Sequence, residues 1–219
     1  MCECWYKDVC ENYGEGCDRV CVRYAEMKYL MENSNLPVAR RQPQQLSPEQ
    51  VDYIAFTRLD TIRRDIVNFV EQGKNLYICS NNTGNGKTSW AVKLMLKYFD
   101  EVWYGNGFRQ RALFVHVPTY LLKCKDFNTV DREFEELKRR IQEVDLVVWD
   151  DIGGAEMTPY DYTNLLVAID AREADGKSNI ITGNSTTRER LEAIVGQKIA
   201  SRLFGKTCEI IELRGGDRR

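Results

Sequence analysis

Short apolar runs alternate with longer amphipathic segments along most of this chain. Five of the runs are rich in valine, isoleucine, leucine and aromatic residues, and they cover residues 76–79, 112–117, 146–149, 179–182 and 208–213. Short runs of this kind, apolar throughout at 76–79 and 146–149, are typical of strands that are buried on both faces of a parallel sheet. We therefore predict an α/β fold with a parallel five-stranded sheet.

The segments between these runs show the spacing of helices. The clearest pattern extends from Val51 to Phe69, with apolar residues recurring every three or four positions. It follows residues 47–50 (Ser-Pro-Glu-Gln), which are typical of a capping box with proline at the first helical position, and it stops at Gly73. Further helices are predicted after residue 87, over 127–143, over 158–172 and on both sides of Gly196.

The composition limits the size and the compartment of the protein. The chain has 219 residues, of which 43% are hydrophobic, so it can form one full domain and a small second one. No apolar run approaches the roughly 20 residues of a membrane span, and the N-terminus lacks the apolar region of a signal peptide. We therefore expect a soluble cytoplasmic protein with no membrane partner. The formal net charge of −2 means that any DNA contact must be local.

A polar, glycine-containing stretch at residues 80–88 joins the first apolar run to a helical segment. A strand, a flexible turn and a helix in this order predict a phosphate-binding loop, in which backbone N–H groups surround the anion. Lys87 supplies the charge for the outer phosphates, and the Thr88 hydroxyl is a ligand for Mg²⁺. The usual pattern begins with glycine where this chain has Asn81, a residue that also tolerates positive φ. The residues expected to bind the nucleotide are Asn82, Thr83, Gly84, Asn85, Gly86, Lys87, Thr88 and Ser89.

Two carboxylates follow the third apolar run. Asp150 and Asp151 come at the carboxyl end of a predicted strand, where a parallel sheet would place them beside the phosphate-binding loop. In that position Asp150 would hold the Mg²⁺ shell, and Asp151 would orient or deprotonate an attacking water. Asn184, after the next strand, would lie between these carboxylates and the terminal phosphate. Two acids after a strand can also simply begin a turn.

Cysteines are crowded at the N-terminus. Five of the eight lie in the first 21 residues, in a segment that is short of aliphatic core formers. In a cytosolic chain such crowding favours metal binding over disulfides, and a small segment needs a structural metal in place of a large core. The expected tetrathiolate Zn²⁺ site consists of Cys4, Cys10, Cys17 and Cys21, with Cys2 able to replace Cys4. Disulfides or free thiols are the alternatives.

A linker follows the cysteine-rich segment. Three of the five prolines lie between Leu36 and Pro48, together with Arg40, Arg41 and several glutamines. The sequence therefore predicts a zinc-binding head at residues 1–35, a linker at 36–47 and a nucleotide-binding domain at 48–219.

Basic and aromatic residues are interleaved between Tyr104 and Lys125, an interval without acidic residues. Positive groups beside stacking rings are typical of proteins that bind single-stranded nucleic acid. A solvated loop beside a core strand fits the same pattern. His116 lies in that strand, and we interpret it as a structural residue.

These motifs occur together in an order that resembles the AAA+ ATPases. The set comprises the loop at 80–88, the strand before Asp150 and Asp151, the strand before Asn184, and a helix with the sequence Ala-Ser-Arg-Leu at 200–203. Within that group, residues 50–219 are similar to helicase loaders of the DnaC/DnaI type. The cysteine-rich segment resembles the zinc-binding, helicase-contacting N-terminal domain of the DnaI branch.

The resemblance implies roles for individual residues. Lys87 and Thr88 would belong to the Walker A motif, and Asp150 and Asp151 to Walker B. The catalytic residues would be Asp151, the first-sensor residue Asn184, and Arg202, an arginine finger that completes a neighbouring subunit's site. A finger supplied by a neighbour makes hydrolysis depend on assembly, so an isolated monomer would be a weak ATPase.

The resemblance also implies a function. An ATP- and Mg²⁺-dependent enzyme would load the replicative DNA helicase onto single-stranded DNA during replication initiation and would self-assemble through its ATPase domain. The sequence ends just after the fifth predicted strand, so we expect no C-terminal helical lid and no second-sensor arginine. Two alternatives fit the same motifs: a transposition ATPase of the IstB type, and a non-catalytic adaptor or inhibitor of the helicase that ATP switches.

Overall fold

Strands and helices alternate along the chain in the computed structural model, which describes residues 4, 7, 10, 13, 14, 17, 21–41, 45–125, 131–154, 157–205 and 207–217. The strands of this part are β1 (Asn75–Cys79), β2 (Ala112–His116), β3 (Leu146–Ile152), β4 (Ser178–Gly183) and β5 (Cys208–Glu212). Its helices are α1 (Val22–Glu32), α2 (Tyr53–Arg64), α3 (Ile66–Glu71), α4 (Lys87–Val102), α5 (Val117–Cys124), α6 (Arg132–Glu143), α7 (Pro159–Ala174), α8 (Arg188–Val195) and α9 (Gln197–Leu203).

The strands form a parallel sheet in the order β2-β3-β4-β1-β5. β1 pairs with β4 on one side and with β5 on the other, and every residue of β1 is buried. The predicted α/β fold with a parallel five-stranded sheet is therefore confirmed. Because the strands are parallel, the loops that follow them meet at one edge of the sheet.

Two hydrophobic clusters cover the two faces of the sheet. Successive strand residues point to opposite faces, so Leu76 and Ile78 join one cluster while Tyr77 and Cys79 join the other. Side chains of α1 to α4 complete the first cluster, and those of α5 to α9 complete the second. α1 contributes Met27, which is completely buried, so this helix shares the core of the sheet. Within the described ranges, no helix has both the length and the apolar character needed to cross a membrane.

The helix predicted from Val51 to Phe69 is divided into three pieces. A 3₁₀ turn at Gln50–Asp52 leads into α2, and Asp65 separates α2 from α3. A second 3₁₀ turn lies at Val38–Arg40. Two helices of the structure, α1 and α5, had no counterpart among the predicted elements.

The start of this divided helix corrects two details of the prediction. The 3₁₀ turn begins at Gln50, with Glu49 at its N-cap and no side-chain cap, so the helix does not begin at Pro48 as predicted. Val51 and Ile54, which the periodicity assigned to the buried face, are 63% and 77% exposed. The carboxylate of Asp52 instead accepts hydrogen bonds from the segment after β5, and this contact fixes how the chain enters α2.

Candidate active site

The connection between β1 and α4 forms an open loop at the start of a helix. α4 begins at Lys87, directly after Gly86. Gly84 and Gly86 have φ values of 70° and 102°, in the left-handed region that favours glycine. A Cβ atom added to Gly86 would approach the Leu46 side chain, at 3.8 Å. The loop therefore presents a flexible backbone and a helix N-terminus, which together suit an anion.

Side chains of the loop fold back over its own backbone. Lys87 Nζ donates to the Asn82 carbonyl at 2.7 Å and lies 3.4 Å from Asn85 Oδ1. Asn85 is completely buried, and its amide donates to the Ser80 hydroxyl and to the Leu213 carbonyl. These bonds hold the ammonium at the Asn82 end of the loop, where the outer phosphates of a nucleotide would lie.

A cavity of about 1120 Å³ adjoins this loop. Residues 84–89 line one side of it, and residues 39, 40 and 45–49 of the preceding segment line the other. Ligand sites commonly have volumes of about 300–1,000 Å³, so the space is large enough for a nucleotide. The ammonium of Lys87 and the hydroxyls of Thr88 and Ser89 are suitable groups for phosphate and Mg²⁺. The residues present therefore fit ATP, and residues 39, 40 and 45–49 line this space although the sequence did not indicate them.

Asp150 and Asp151 lie at the carboxyl end of β3, beside the end of β4. Thr182 joins them, since its hydroxyl donates to Asp150 Oδ1 at 2.8 Å and accepts from the Asp151 backbone N–H at 2.9 Å. Asn184 Nδ2 donates to Asp151 Oδ1 at 3.3 Å. The structure thus brings the predicted acidic pair and Asn184 together. Thr182 was missed, although it precedes Asn184 by the period of a strand and so points to the same side.

Asp151 has an unusual backbone conformation. Its φ is 65°, a value that costs a residue with a side chain on the order of 1 kcal/mol. The register of β3 and β4 shifts between Trp149 and Ile152, as expected for a β-bulge at this point. A Cβ atom on Gly154 would lie 2.2 Å from Asp151 Oδ2, so glycine leaves the room that this carboxylate needs. Strain of this kind persists where the surrounding structure enforces it, and it is concentrated at functional sites.

Burial raises the pKa of two titratable groups of β1. Burial, followed by the charge of Glu212, raises the pKa of the Cys79 thiol to about 12. Burial also raises the pKa of Tyr77, whose hydroxyl donates to the Ser185 carbonyl at 2.9 Å. Both groups are neutral near pH 7. Tyr77 joins β1 to the loop after β4, and the Cys79 thiol donates to the Ile211 carbonyl of β5.

Arg202 contacts α7 of its own chain. Its Nε atom pairs with the Asp170 carboxylate and lies 3.5 Å from Glu173 Oε2, and Nη1 donates to the Lys198 carbonyl. The side chain is 28% exposed. The structure joins Arg202 to these carboxylates and not to the group around Lys87 and Asp150. Its role as a finger for a neighbouring subunit stays a prediction.

The basic and aromatic segment at 104–125 is tied to the rest of the chain. Its four cations form ion pairs: Arg109 and Arg111 with Asp145, Lys123 with Asp131, and Lys125 with Asp161. Burial pushes the pKa of Asp161 upward, but the hydrogen bonds from Lys125 and Thr158 outweigh it and leave that pKa below its ordinary value. Tyr120 is buried in the core. These contacts favour the interpretation as a loop beside a core strand.

His116 lies at the same edge of the sheet as the acidic pair. It is opposite Asp150 in the register of β2 and β3, and it is exposed. Its Nδ1 atom lies 2.8 Å from the Thr119 hydroxyl oxygen. The sequence placed this residue inside a strand, and the structure puts it at the strand's end.

The predicted zinc site is not supported. Among the described residues, which include Cys4, Cys10, Cys17 and Cys21, no three His, Cys, Asp or Glu side chains are grouped so that they could hold a metal ion. Cys4 and Cys10 pack against the first hydrophobic cluster, and Cys17 Sγ accepts a hydrogen bond from the Gly14 N–H. Cysteine is a small apolar residue as well as a ligand, so packing produces the same crowding in the sequence. Cys2 lies outside the described residues.

Solved structures share this fold. No protein-family model and no curated protein sequence matches the chain. The structure of DnaI is similar with a TM-score of 0.65 at 19% identity, over 84% of this chain and 95% of that one. The DnaC helicase loader gives 0.62 at 18% identity, over 85% and 98% of the two chains. The replication initiator DnaA bound to AMPPCP and single-stranded DNA gives 0.60 at 15%, over 78% of this chain and 49% of that one.

These similarities confirm, at the level of the fold, the resemblance to DnaC/DnaI-type proteins that the motifs indicated. The match extends over nearly the full length of the DnaI and DnaC chains, but over about half of DnaA. At such low identities the comparison establishes the architecture, and the chemistry has to be argued from the residues of this chain.

Proposed function

We propose that this protein is an ATP-dependent loader of the replicative DNA helicase. It binds the helicase, engages single-stranded DNA through its ATPase domain and places the helicase on that strand during replication initiation. One observation carries the proposal: the Lys87 loop after β1 and the group of Asp150, Asp151 and Asn184 at the ends of β3 and β4 lie at the same edge of the parallel sheet, on a fold shared with DnaI and DnaC. The likeness to DnaA bound to single-stranded DNA supports the class of nucleic acid.

The residues of the site divide the work of ATP hydrolysis among them. Bound ATP supplies the phosphoanhydride bond, and Mg²⁺ would supply positive charge against its phosphates. Lys87 neutralises the outer phosphates, while the Thr88 hydroxyl and Asp150 hold the metal's ligand shell. Thr182 fixes the orientation of Asp150 through its hydrogen bond. Asp151, held by Asn184, orients or deprotonates the attacking water.

Hydrolysis in this proposal depends on assembly between ATPase domains. Arg202 completes a neighbour's site after it leaves Asp170 and Glu173 of its own chain. An isolated subunit has no neighbour to supply this arginine, so a monomer is expected to be a weak ATPase, and its own Arg202 stays with the two carboxylates. Assembly that offers a phosphate in their place would raise turnover, since such arginines are worth roughly 10³-fold or more in rate.

The test is a loading assay with the full chain and the replicative helicase of its host. Light scattering after size exclusion should show a defined complex, and ATP should allow deposition of the helicase on single-stranded DNA. Lys87→Ala should keep the complex and lose deposition. Lys97→Ala, on the same helix but bonded to surface carboxylates, is the matched control and should keep both the complex and deposition.

The alternatives give different results in the same assay. No complex under any nucleotide condition would reject the loader and favour a transposition ATPase. A complex with no ATP turnover, even with helicase and single-stranded DNA present, would favour an adaptor that only binds ATP.

A further inference from the structure

Asn81, the residue that replaces the usual first glycine of the loop, is bonded to the connection after β4. Its Nδ2 atom donates to the Thr186 hydroxyl at 3.0 Å, and its Oδ1 atom accepts from Arg190 Nη1 at 3.1 Å. Thr186 follows Asn184 closely, and Arg190 lies in the first turn of α8. The start of the loop and the segment that follows Asn184 are therefore joined by one side chain.

Arg190 differs from Arg188 and Arg202 in its charge environment. It is exposed, and in the ranges that the structure describes its side chain bonds to the neutral Asn81 amide and pairs with no carboxylate. Arg188, on the same helix, lies 3.9 Å from Glu192, and Arg202 is held by Asp170 and Glu173. Arg190 is thus a cation beside the loop whose charge no carboxylate of the described residues neutralises.

The position of Arg190 beside the loop indicates which part of a bound nucleotide its guanidinium would contact. Lys87 Nζ is held at the Asn82 carbonyl, so the outer phosphates of a bound nucleotide belong at that end of the loop. Asn81 is the adjacent residue, and the Arg190 guanidinium is bonded to its side chain. A guanidinium offers several N–H donors in one plane and binds phosphate oxygens in pairs.

We propose that Arg190 contacts the terminal phosphate of a nucleoside triphosphate bound to its own chain, and that it thereby distinguishes triphosphate from diphosphate. The Asn81 amide holds the guanidinium in position until the phosphate replaces it. This inference rests on the proposed function only in requiring that the chain binds ATP. It does not depend on the helicase or on DNA.

A purely structural role for Arg190 predicts something different. If the residue only holds Asn81 in place, removing its charge should weaken the binding of diphosphate and triphosphate alike. Its effect should also disappear when Asn81 itself is removed. Asn81→Gly restores the usual glycine and deletes both bonds, so it separates the two possibilities in a double-mutant cycle.

The experiment is a calorimetric titration of the full chain with Mg²⁺ and either AMPPCP or ADP. Arg190→Gln should weaken AMPPCP binding by about 10- to 100-fold, the effect of losing a hydrogen-bonded charge, and ADP binding by less than about 2-fold. The loss should be of the same size in the Asn81→Gly background. Arg190→Lys should retain part of the affinity, and Arg188→Gln should change neither nucleotide.

Three results would overturn the proposal. They are unchanged AMPPCP affinity in Arg190→Gln, equal losses for AMPPCP and ADP, and a loss that vanishes in the Asn81→Gly background. If the parent chain binds neither nucleotide, the proposed ATPase function fails together with this inference. If AMPPCP and ADP bind with equal affinity in the parent and in every variant, only the inference fails. A melting temperature of Arg190→Gln that matches the parent's ensures that the loss of affinity does not reflect unfolding.

Discussion

Two polar networks lie at opposite ends of the same strands, and they are constructed differently. At the amino ends, Arg172 is completely buried, and each of its five N–H donors has an acceptor. The acceptors are Asn179 Oδ1 and the carbonyl oxygens of Ile141, Val144, Asp145 and Ser178. Asn179 Oδ1 also accepts from Trp149 Nε1. This network is closed, since no donor of the arginine is left over.

The network at the carboxyl ends is open and strained. Thr182 orders the two carboxylates, but Asp151 is only half-buried and has a positive φ. Lys87 is held by a carbonyl oxygen of its own loop, beside a cavity of about 1120 Å³. Lys87 borders open space, whereas the polar groups around Arg172 are arranged around one another.

The comparison separates polar groups that stabilise a fold from those that perform chemistry. A buried group is tolerated when all of its hydrogen bonds are made, and a strained group is tolerated when its geometry is needed. Even the closed network has a cost, since burial, opposed by the charges of Asp145 and Asp175, lowers the pKa of Arg172 to about 9. Substitutions at the amino ends should therefore change stability, and those at the carboxyl ends should change turnover.

Arg172→Met should have the largest effect. It removes the donors of several buried carbonyl groups, and we expect a loss of about 3 kcal/mol or more in the free energy of unfolding, measured with urea. The control is Arg139→Met on the exposed side of α6, where the arginine pairs with Glu136 and Glu143. Exposed pairs contribute at most about 1 kcal/mol. A similar loss for both variants would show that closure of the network is not what matters.

Replacement of Asp151 should reduce turnover by about 100-fold or more, because the group that orients the water is lost. The stabilities of two such variants should also differ in an unusual order. At a positive φ glycine avoids the strain of a side chain, so Asp151→Gly should be more stable than Asp151→Ala by about 1 kcal/mol. The same pair of substitutions at the helical position Glu136 should give the opposite order, since alanine favours a helix. Equal stability of the two Asp151 variants would mean that the strain is absent.

Thr182→Val should have a smaller effect on the same reaction. The isosteric change removes the donor to Asp150 and the acceptor of the Asp151 N–H, so turnover should fall by about 10-fold. ATP affinity should change by less than about 3-fold, because Lys87 and its loop are untouched. Thr182→Ser keeps the hydroxyl and should restore turnover. Failure of serine to do so would show that the methyl group's packing, and not the hydroxyl, was responsible.

The two networks differ in how far the sequence predicts them. Asp150 and Asp151 directly follow an apolar run, and the loop that carries Lys87 follows another. Parallel pairing brings the ends of those runs to one edge of the sheet, so this arrangement could be expected. Arg172 carries no such signal, because its acceptors come from four separate carbonyls that only the folded chain assembles. A lone arginine near the end of a helix normally indicates a solvated position.

Two errors have the same physical origin. α5 was missed because it begins at Val117, which the apolar run of β2 had absorbed. The cysteines were read as ligands because their spacing says nothing about which side chains face one another. In both cases the local pattern fits two structures, and tertiary contacts select between them.

The smallest effect is expected for Glu173→Gln, at the margin of the closed network. Glu173 Oε1 accepts from Asn75 Nδ2 at 2.9 Å, and glutamine can accept the same bond. Burial raises the pKa of Glu173, with the charge of Arg202 opposing it. The folded chain therefore holds this proton more tightly than the unfolded chain does, and the resulting stabilisation is lost as pH rises through the folded pKa.

Near neutral pH the free energy of unfolding of Glu173→Gln should match that of the parent within about 0.5 kcal/mol, as should that of the exposed control Glu71→Gln. At pH values below the ordinary carboxyl pKa, the parent should gain relative to the variant. A loss of more than about 1 kcal/mol at pH 7 would instead show that the carboxylate charge is structural and that the closed network extends to Arg202.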